Sequence, residues 1–306
     1  MSGRVATADP AIPAASPVDL SEYDSLATHL RRFARQSPAA VGAALLLLFV
    51  IAIGALAPLI APYDPILNSF TEVRQQPSAA HWLGTDHLGR DTLSRIIYGT
   101  RVTMLVAVSS VVIGELLGFI WGVSTGYIGG RFDLISQRII EVMMSFPTLI
   151  LALLLLVSLG AGLHTVIVAI AVTRVPGTTR IIRSAALQFR EVAFVEAARA
   201  LGASPLWVMA RHIAPQCVGP MLILVSLNLG GAIFTESALS FLGLGVPPPN
   251  PSWGNMLGGV LAEQFRPSWW LVVFPGIAIT VTVMATNLLG DGLRDFLDPR
   301  LRGLID

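Results

Sequence analysis

Side chains able to do covalent, redox or metal chemistry are few and scattered in this sequence. The five histidines, His29, His81, His87, His164 and His212, stand in no HExxH or Cys/His spacing of the kind a zinc site needs, and Cys217 has no second cysteine to pair with. All 20 basic residues are arginine, so there is no Walker A loop, whose lysine must reach the β- and γ-phosphates of a nucleotide. The chain cannot be its own P-loop ATPase. His81, Asp86 and His87 lie close together, but beside the turn-forming Gly84 and Gly89 and in no established ligand spacing, so they are read as loop structure. No nucleophile stands with a base near the ends of the apolar segments. No metal, cofactor, nucleic-acid or catalytic role is expected, which leaves binding, docking and passage.

The elements that position these residues are oily. Hydrophobic residues make up 54% of the 306 positions and charged residues 13%, about half the usual share for a soluble domain; the mean hydropathy is +0.70. This is the composition of a polytopic all-α membrane protein. Residues 1–37, rich in Ala, Pro and Ser toward their start, read as a mostly disordered tail and not as a cleavable signal, because the first apolar run starts only near Ala39. That run, within 38–62, is long enough to cross the ~30 Å hydrocarbon core. An extracytoplasmic loop at 63–101 follows, then a core over 102–290 and a C-terminal tail at 291–306. Within the core, spans are expected near 102–126, 139–160, 163–183, 213–236 and 269–290. Six spans put both termini on one side.

Arginine placement orients them. With the termini inside, 13 arginines near span ends are cytoplasmic and five, Arg74, Arg90, Arg95, Arg101 and Arg266, are outside. Three of the five fall in GRDTLSRIIYGTR (89–101), which reads as a helix lying in the outer interface and leading into the second span. Polar groups inside the spans are expensive to bury. Glu115, Arg174, Asn228 and Asn287 either line a water-filled path or hydrogen-bond between helices; Arg174 would lie nearer the inner interface if Pro176-Gly177 breaks its helix. Glu236 and Ser237, at the outer end of the fifth span, either face that path or cap a helix.

The longest expected cytoplasmic loop, 190–215, contains EAARALGASPLWVMARHIAP (196–215). Good helix formers run from about Glu191 to Leu201. Gly202 then suits the left-handed position past a helix end, Ser204 an N-cap, and Pro205 the first turn of the next helix. Helix, turn and helix are encoded locally. Ala197, Ala198 and Ala200 leave a smooth surface, with Glu196, Arg199 and Arg211 as charge around it, and such a surface suits docking.

This stretch resembles the EAA motif of binding-protein-dependent ABC importer membrane subunits. HWLGTDHLGRDTLSRIIYGTR (81–101), ESALSFLGLGVPPPNPSWGNML (236–257) and GDGLRDFLDPR (290–300) resemble the blocks of C-type permease subunits of dipeptide and oligopeptide importers. The likeness runs from about Arg31 to Arg302, and one departure is Ala214, where the general pattern has a larger aliphatic residue before the proline. The resemblance implies a type I ABC importer permease fold in a bacterial cytoplasmic membrane. It implies four kinds of partner: a homologous second permease, one or two ATP-binding subunits, an extracytoplasmic peptide-binding protein and membrane lipid. ATP and Mg would sit on the partners, and Glu196, Ala197, Ala198, Arg199 and Gly202 would form the coupling contact. Relatives of this type also carry nickel complexes, glutathione or opines. A stand-alone carrier fits less well, since intramembrane acids for proton coupling are scarce and a carrier has no need of a docking loop.

Overall fold

A computed structural model describes residues 33–160, 162–263 and 268–297. Most of the expected N-terminal tail and the last nine residues lie outside these. The described residues form helices α1 (Pro38–Ala55), α2 (Ala57–Ile60), α3 (Thr92–Ile128), α4 (Gly130–Met144), α5 (Thr148–Leu159) and α6 (Leu163–Arg190), followed by α7 (Ala193–Ala200), α8 (Pro205–Val208), α9 (Ala214–Phe241), α10 (Trp253–Glu263) and α11 (Trp269–Leu297). A π-helical turn, Met209–Ile213, joins α8 to α9, so that Pro205–Phe241 is one helical rod. No strand occurs among the described residues. Five helices are long and apolar enough to cross a membrane, and the bent pair α4–α5 makes up to six.

The centre of the bundle is the α3–α6 pair. Gly114, Gly118, Gly122 and Gly126 recur every four residues on one face of α3, and a Cβ at any of them would fall within 2.6–2.8 Å of α6 atoms: Ala171 O, Thr178 Cβ, Thr179 O or Ile182 Cβ, and Ala186 Cβ. In a membrane, where apolar side chains gain nothing by leaving lipid, close backbone approach of this kind is what holds helices together. One apolar cluster, including Val106, Val111, Ile170, Ile233, Leu239 and Trp253, fills the bundle toward the α10 end. A second, including Val123, Ile182, Val195, Val208, Ile213 and Cys217, fills it toward α7. At the edge, α1 packs on α11 and α3 through Ala43, Leu47 and Ala285, with Gly54 against the Arg101 backbone.

Three expectations need correction. The segment 92–101 is not a helix of its own ahead of the second span but the buried first turns of α3, continuous with it. Asp91 caps it by accepting from Ser94 N at 2.8 Å, and the Arg95 guanidinium donates inward to Pro65 O at 2.9 Å. The span expected at 139–160 is two helices meeting at 92°. Pro147 lacks an amide hydrogen and disfavours helix at Phe146, and no packing holds the chain straight there. Pro176, by contrast, leaves α6 unbroken, because α6 is clamped against α3 on both sides of it.

Candidate functional site

The loop after α6 has the expected helix–turn–helix, with α7 over Ala193–Ala200. Its end is a Schellman turn: Gly202 N donates to Arg199 O (2.9 Å), Ala203 N donates to Ala198 O (3.1 Å), and Gly202 sits at φ +83°. Ser204 caps the next helix by accepting from Trp207 N, and Pro205 opens it. Leu201, at the tip, is 89% exposed, with Leu206 and Trp207 also outward. Glu196, Ala197 and Ala200 are exposed as well. Ala198 is not: it faces inward beside Val195, so the smooth outer surface is made by two alanines and not three.

Arg199 ties the loop to the bundle. Its Nε donates to the Tyr127 hydroxyl at 3.3 Å and its guanidinium lies 4.8 Å from that ring's centre, a cation–π contact onto the last turn of α3. Arg183, two turns before the end of α6, grips Asp133 in the charged first turn of α4 with two bonds of 2.6 Å. Those bonds hold the Asp133 carboxyl below the usual carboxylate range. The pairings Arg199–Tyr127 and Asp133–Arg183 join residues 72 and 50 positions apart.

Four path candidates are placed in two internal clusters. Glu115, fully enclosed, accepts from Thr178 Oγ1 and from Asn228 Nδ2, each at 2.6 Å, and so bridges α3, α6 and α9. Arg174, one turn along α6 from Thr178, donates to Thr235 Oγ1 at 3.1 Å. Glu236, also fully enclosed, accepts from Ser240 Oγ at 2.7 Å, and that oxygen in turn accepts from Val246 N at 3.1 Å. Ser237 is buried on the adjoining turn, where its backbone meets Gly254 of α10. Beside it, Trp253 Nε1 donates to Ile96 O at 3.2 Å, locking α10 onto α3. Within this chain the Glu115 carboxylate is spent on cross-links between helices, whereas the Glu236 bond to Ser240 lies within α9 and its Oε2 is buried without a hydrogen bond, as is Ser237 Oγ. His81 is likewise engaged, with Nδ1 2.9 Å from Asp91 Oδ1, while Asp86 holds Arg90 at 2.7 Å.

Among the described residues the arrangement offers internal cross-links and an exposed helix–turn–helix, and no group of three metal-ligating side chains. Residues 116–303 match the family of binding-protein-dependent transport system inner membrane components, and residues 26–78 match the N-terminal transmembrane domain of oligopeptide transport permease C. The chain belongs to this permease family. The permease is 40% identical to the dipeptide transport system permease protein DppC of Bacillus subtilis over 88% of its own length and 84% of the relative's. It is also 40% identical to the glutathione transport system permease protein GsiD of Pectobacterium atrosepticum, over 89% and 90%. A putative peptide transport system permease protein of Brucella suis is 40% identical over 89% and 91%. Its fold is similar to that in the inward-facing structure of the MetNI methionine ABC transporter, with a TM-score of 0.55 and 17% identity over 67% of this chain and 97% of that one.

The α3 glycine stripe and the Arg199–Tyr127 contact are absent from the sequence-based reading. The stripe was visible as Gly at every fourth position from 114 to 126; no sequence signal marks Tyr127 as the partner of Arg199.

Proposed function

We propose that the permease imports dipeptides or short oligopeptides as half of a heteromeric pathway. The reading rests on one observation: the relatives named above are described as dipeptide, peptide and glutathione permeases, and glutathione is itself a short peptide. Glutathione is the second reading on the same ground. The chain performs no chemistry. ATP is hydrolysed on one or two partner subunits, a second permease completes the path, and an extracytoplasmic binding protein delivers the peptide.

The excess of arginine on one side of the spans supports a cytoplasmic position for both termini and the α7–α8 loop in a bacterial cell. There the outward Glu196, Ala197 and Leu201 meet the ATP-binding subunit, Gly202 fixes the turn, Ala198 seats the loop on its own bundle, and Arg199 links it to α3. When the ATP-binding pair closes, the loop moves and the helices rock about a path between the two permeases. Glu115 and Asn228 keep the helices beside that path in register, and Glu236 and Ser237, with buried oxygens left without a hydrogen bond, are the polar groups nearest to facing it.

ATP-dependent uptake into proteoliposomes holding the permease and its genomic partners tests this, with labelled dipeptides, longer peptides, glutathione and a nickel complex as cargo. Peptide uptake that needs both ATP and the binding protein is expected. Uptake of glutathione alone selects the second reading, nickel alone overturns both, and uptake without ATP overturns the coupling.

A further inference from the structure

The loop from α2 to α3 turns large apolar side chains outward alongside polar ones, and folds several of its charges inward. Several of its ionisable groups pair inward, Arg90 and the Arg95 of α3 approaching Asp86 at 2.7 and 3.5 Å and His81 pairing with Asp91, while Asp64, Glu72 and Arg74 reach the surface. Its large apolar groups turn outward, with Leu59 81% exposed, Leu67 71%, Phe70 75% and Trp82 70%. The backbone is pinned in this form by Ser69 N to Leu88 O, Arg74 N to Asp86 O and Thr85 N to Gln75 O. Tyr63 donates to Ala80 O at 2.8 Å and its ring lies 4.8 Å from that of His81, which brings the Trp82 segment to the start of the loop. A loop bathed in water would gain by the opposite arrangement, since apolar surface is stabilised by leaving water and ionised groups by entering it.

We propose that residues 57–82 are seated in the headgroup boundary of the leaflet at this end of the bundle, so that the loop and not the first turns of α3 anchors the protein in the interface. The apolar surface is continuous with one that faces acyl chains. Leu45, Leu48, Phe49 and Ile51 are outward on α1, and Leu56, Leu59 and Ile60 extend that exposed run past its end. From Ala57 to Phe70 the one charged residue is Asp64, whose Oδ1 accepts from Ile66 N, and Glu72 and Arg74 follow as the charges that would meet headgroups. Tyr63 and Trp82, at the transition, are the residue types that collect where acyl chains give way to headgroups.

The test uses the whole transporter in lipid nanodiscs, with nitroxide labels at Leu67→Cys, Phe70→Cys or Trp82→Cys in a Cys217→Ser background. Leu48→Cys serves as the acyl-chain reference and Asn250→Cys as the loop reference. Collision with molecular oxygen is compared with collision with a water-soluble nickel chelate. The expected oxygen-to-nickel ratio at all three sites is severalfold above that at Asn250 and approaches that at Leu48. A ratio at or below that of Asn250 would overturn the proposal by placing the surface in water. Exclusion of both reagents, with or without the binding protein, would overturn it by assigning the surface to a protein partner. Uptake by each labelled transporter shows that the complex is intact.

Discussion

Gly202 allows backbone geometry to be separated from packing. Nothing lies within 4 Å of where its Cβ would stand, so a substituted side chain meets open space and any penalty comes from holding φ at +83°. A non-glycine residue in this left-handed region loses about 1–2 kcal/mol, with Asn tolerated best and β-branched residues least. Relief of that strain breaks the Gly202–Arg199 and Ala203–Ala198 hydrogen bonds and re-aims Leu201. Since about 1.4 kcal/mol is a factor of ten, Gly202→Val should reduce the population of the native turn by about tenfold or more. Gly202→Asn should stay near wild type and Gly202→Ala fall between. The assay is peptide uptake in proteoliposomes beside ATP hydrolysis by the same preparation, normalised to inserted protein. The expected signature is a loss of uptake per ATP ordered Val, Ala, Asn with insertion unchanged. Wild-type transport by Gly202→Val at wild-type abundance refutes the reasoning, and so does an Asn variant as poor as Val.

Two further predictions concern the bundle. Gly118→Ala places a methyl 2.7 Å from Thr178 Cβ and should destabilise the purified complex by about 1–3 kcal/mol, read as a lowered Tm, whereas Gly276→Ala, with nothing within 4 Å, should leave Tm unchanged or raised; equal Tm values for the two would remove the stripe as the packing determinant. Glu115→Leu strands the Asn228 amide and should lose about 1–3 kcal/mol, while Glu115→Gln keeps an acceptor for it and leaves Thr178 Oγ1 its second acceptor, Arg174 O at 3.2 Å. Matching melting curves for Leu and wild type would show that the bridge adds nothing to stability.

Much of the architecture was legible in the sequence because it depends on local or averaged properties. Hydropathy locates the spans, and the Schellman turn at Gly202 and the cap at Ser204 are written within a few residues. Prolines show the limit. Pro147 ends a helix and Pro176 does not, although the local rule is the same for both. The difference lies in whether a neighbouring helix holds the flanks, and one chain's sequence does not spell that out. The side of α7 that faces inward, and hence the fate of Ala198, is set by Val195 and Ala198 meeting a bundle assembled from residues far away. Glu115 and Asn228 were legible as costly intramembrane groups but not as partners, being 113 residues apart.

The rod Pro205–Phe241 departs from regular helix close to its α7–α8 loop end, where the π turn Met209–Ile213, Pro215 and Pro220 follow one another, and carries no further proline beyond. Such breaks in helix regularity are where a rod bends most readily, and here they lie beside the α7–α8 loop. The straight arm from Pro220 to Phe241 is about 32 Å long at 1.5 Å per residue, so a tilt of about 10° at these breaks carries the far end by about 5 Å. That far end bears the Glu236–Ser240 knot and the α10 contact at Gly254. Under the coupling role proposed for the loop, a push applied there would reach the far end of the same covalent element enlarged.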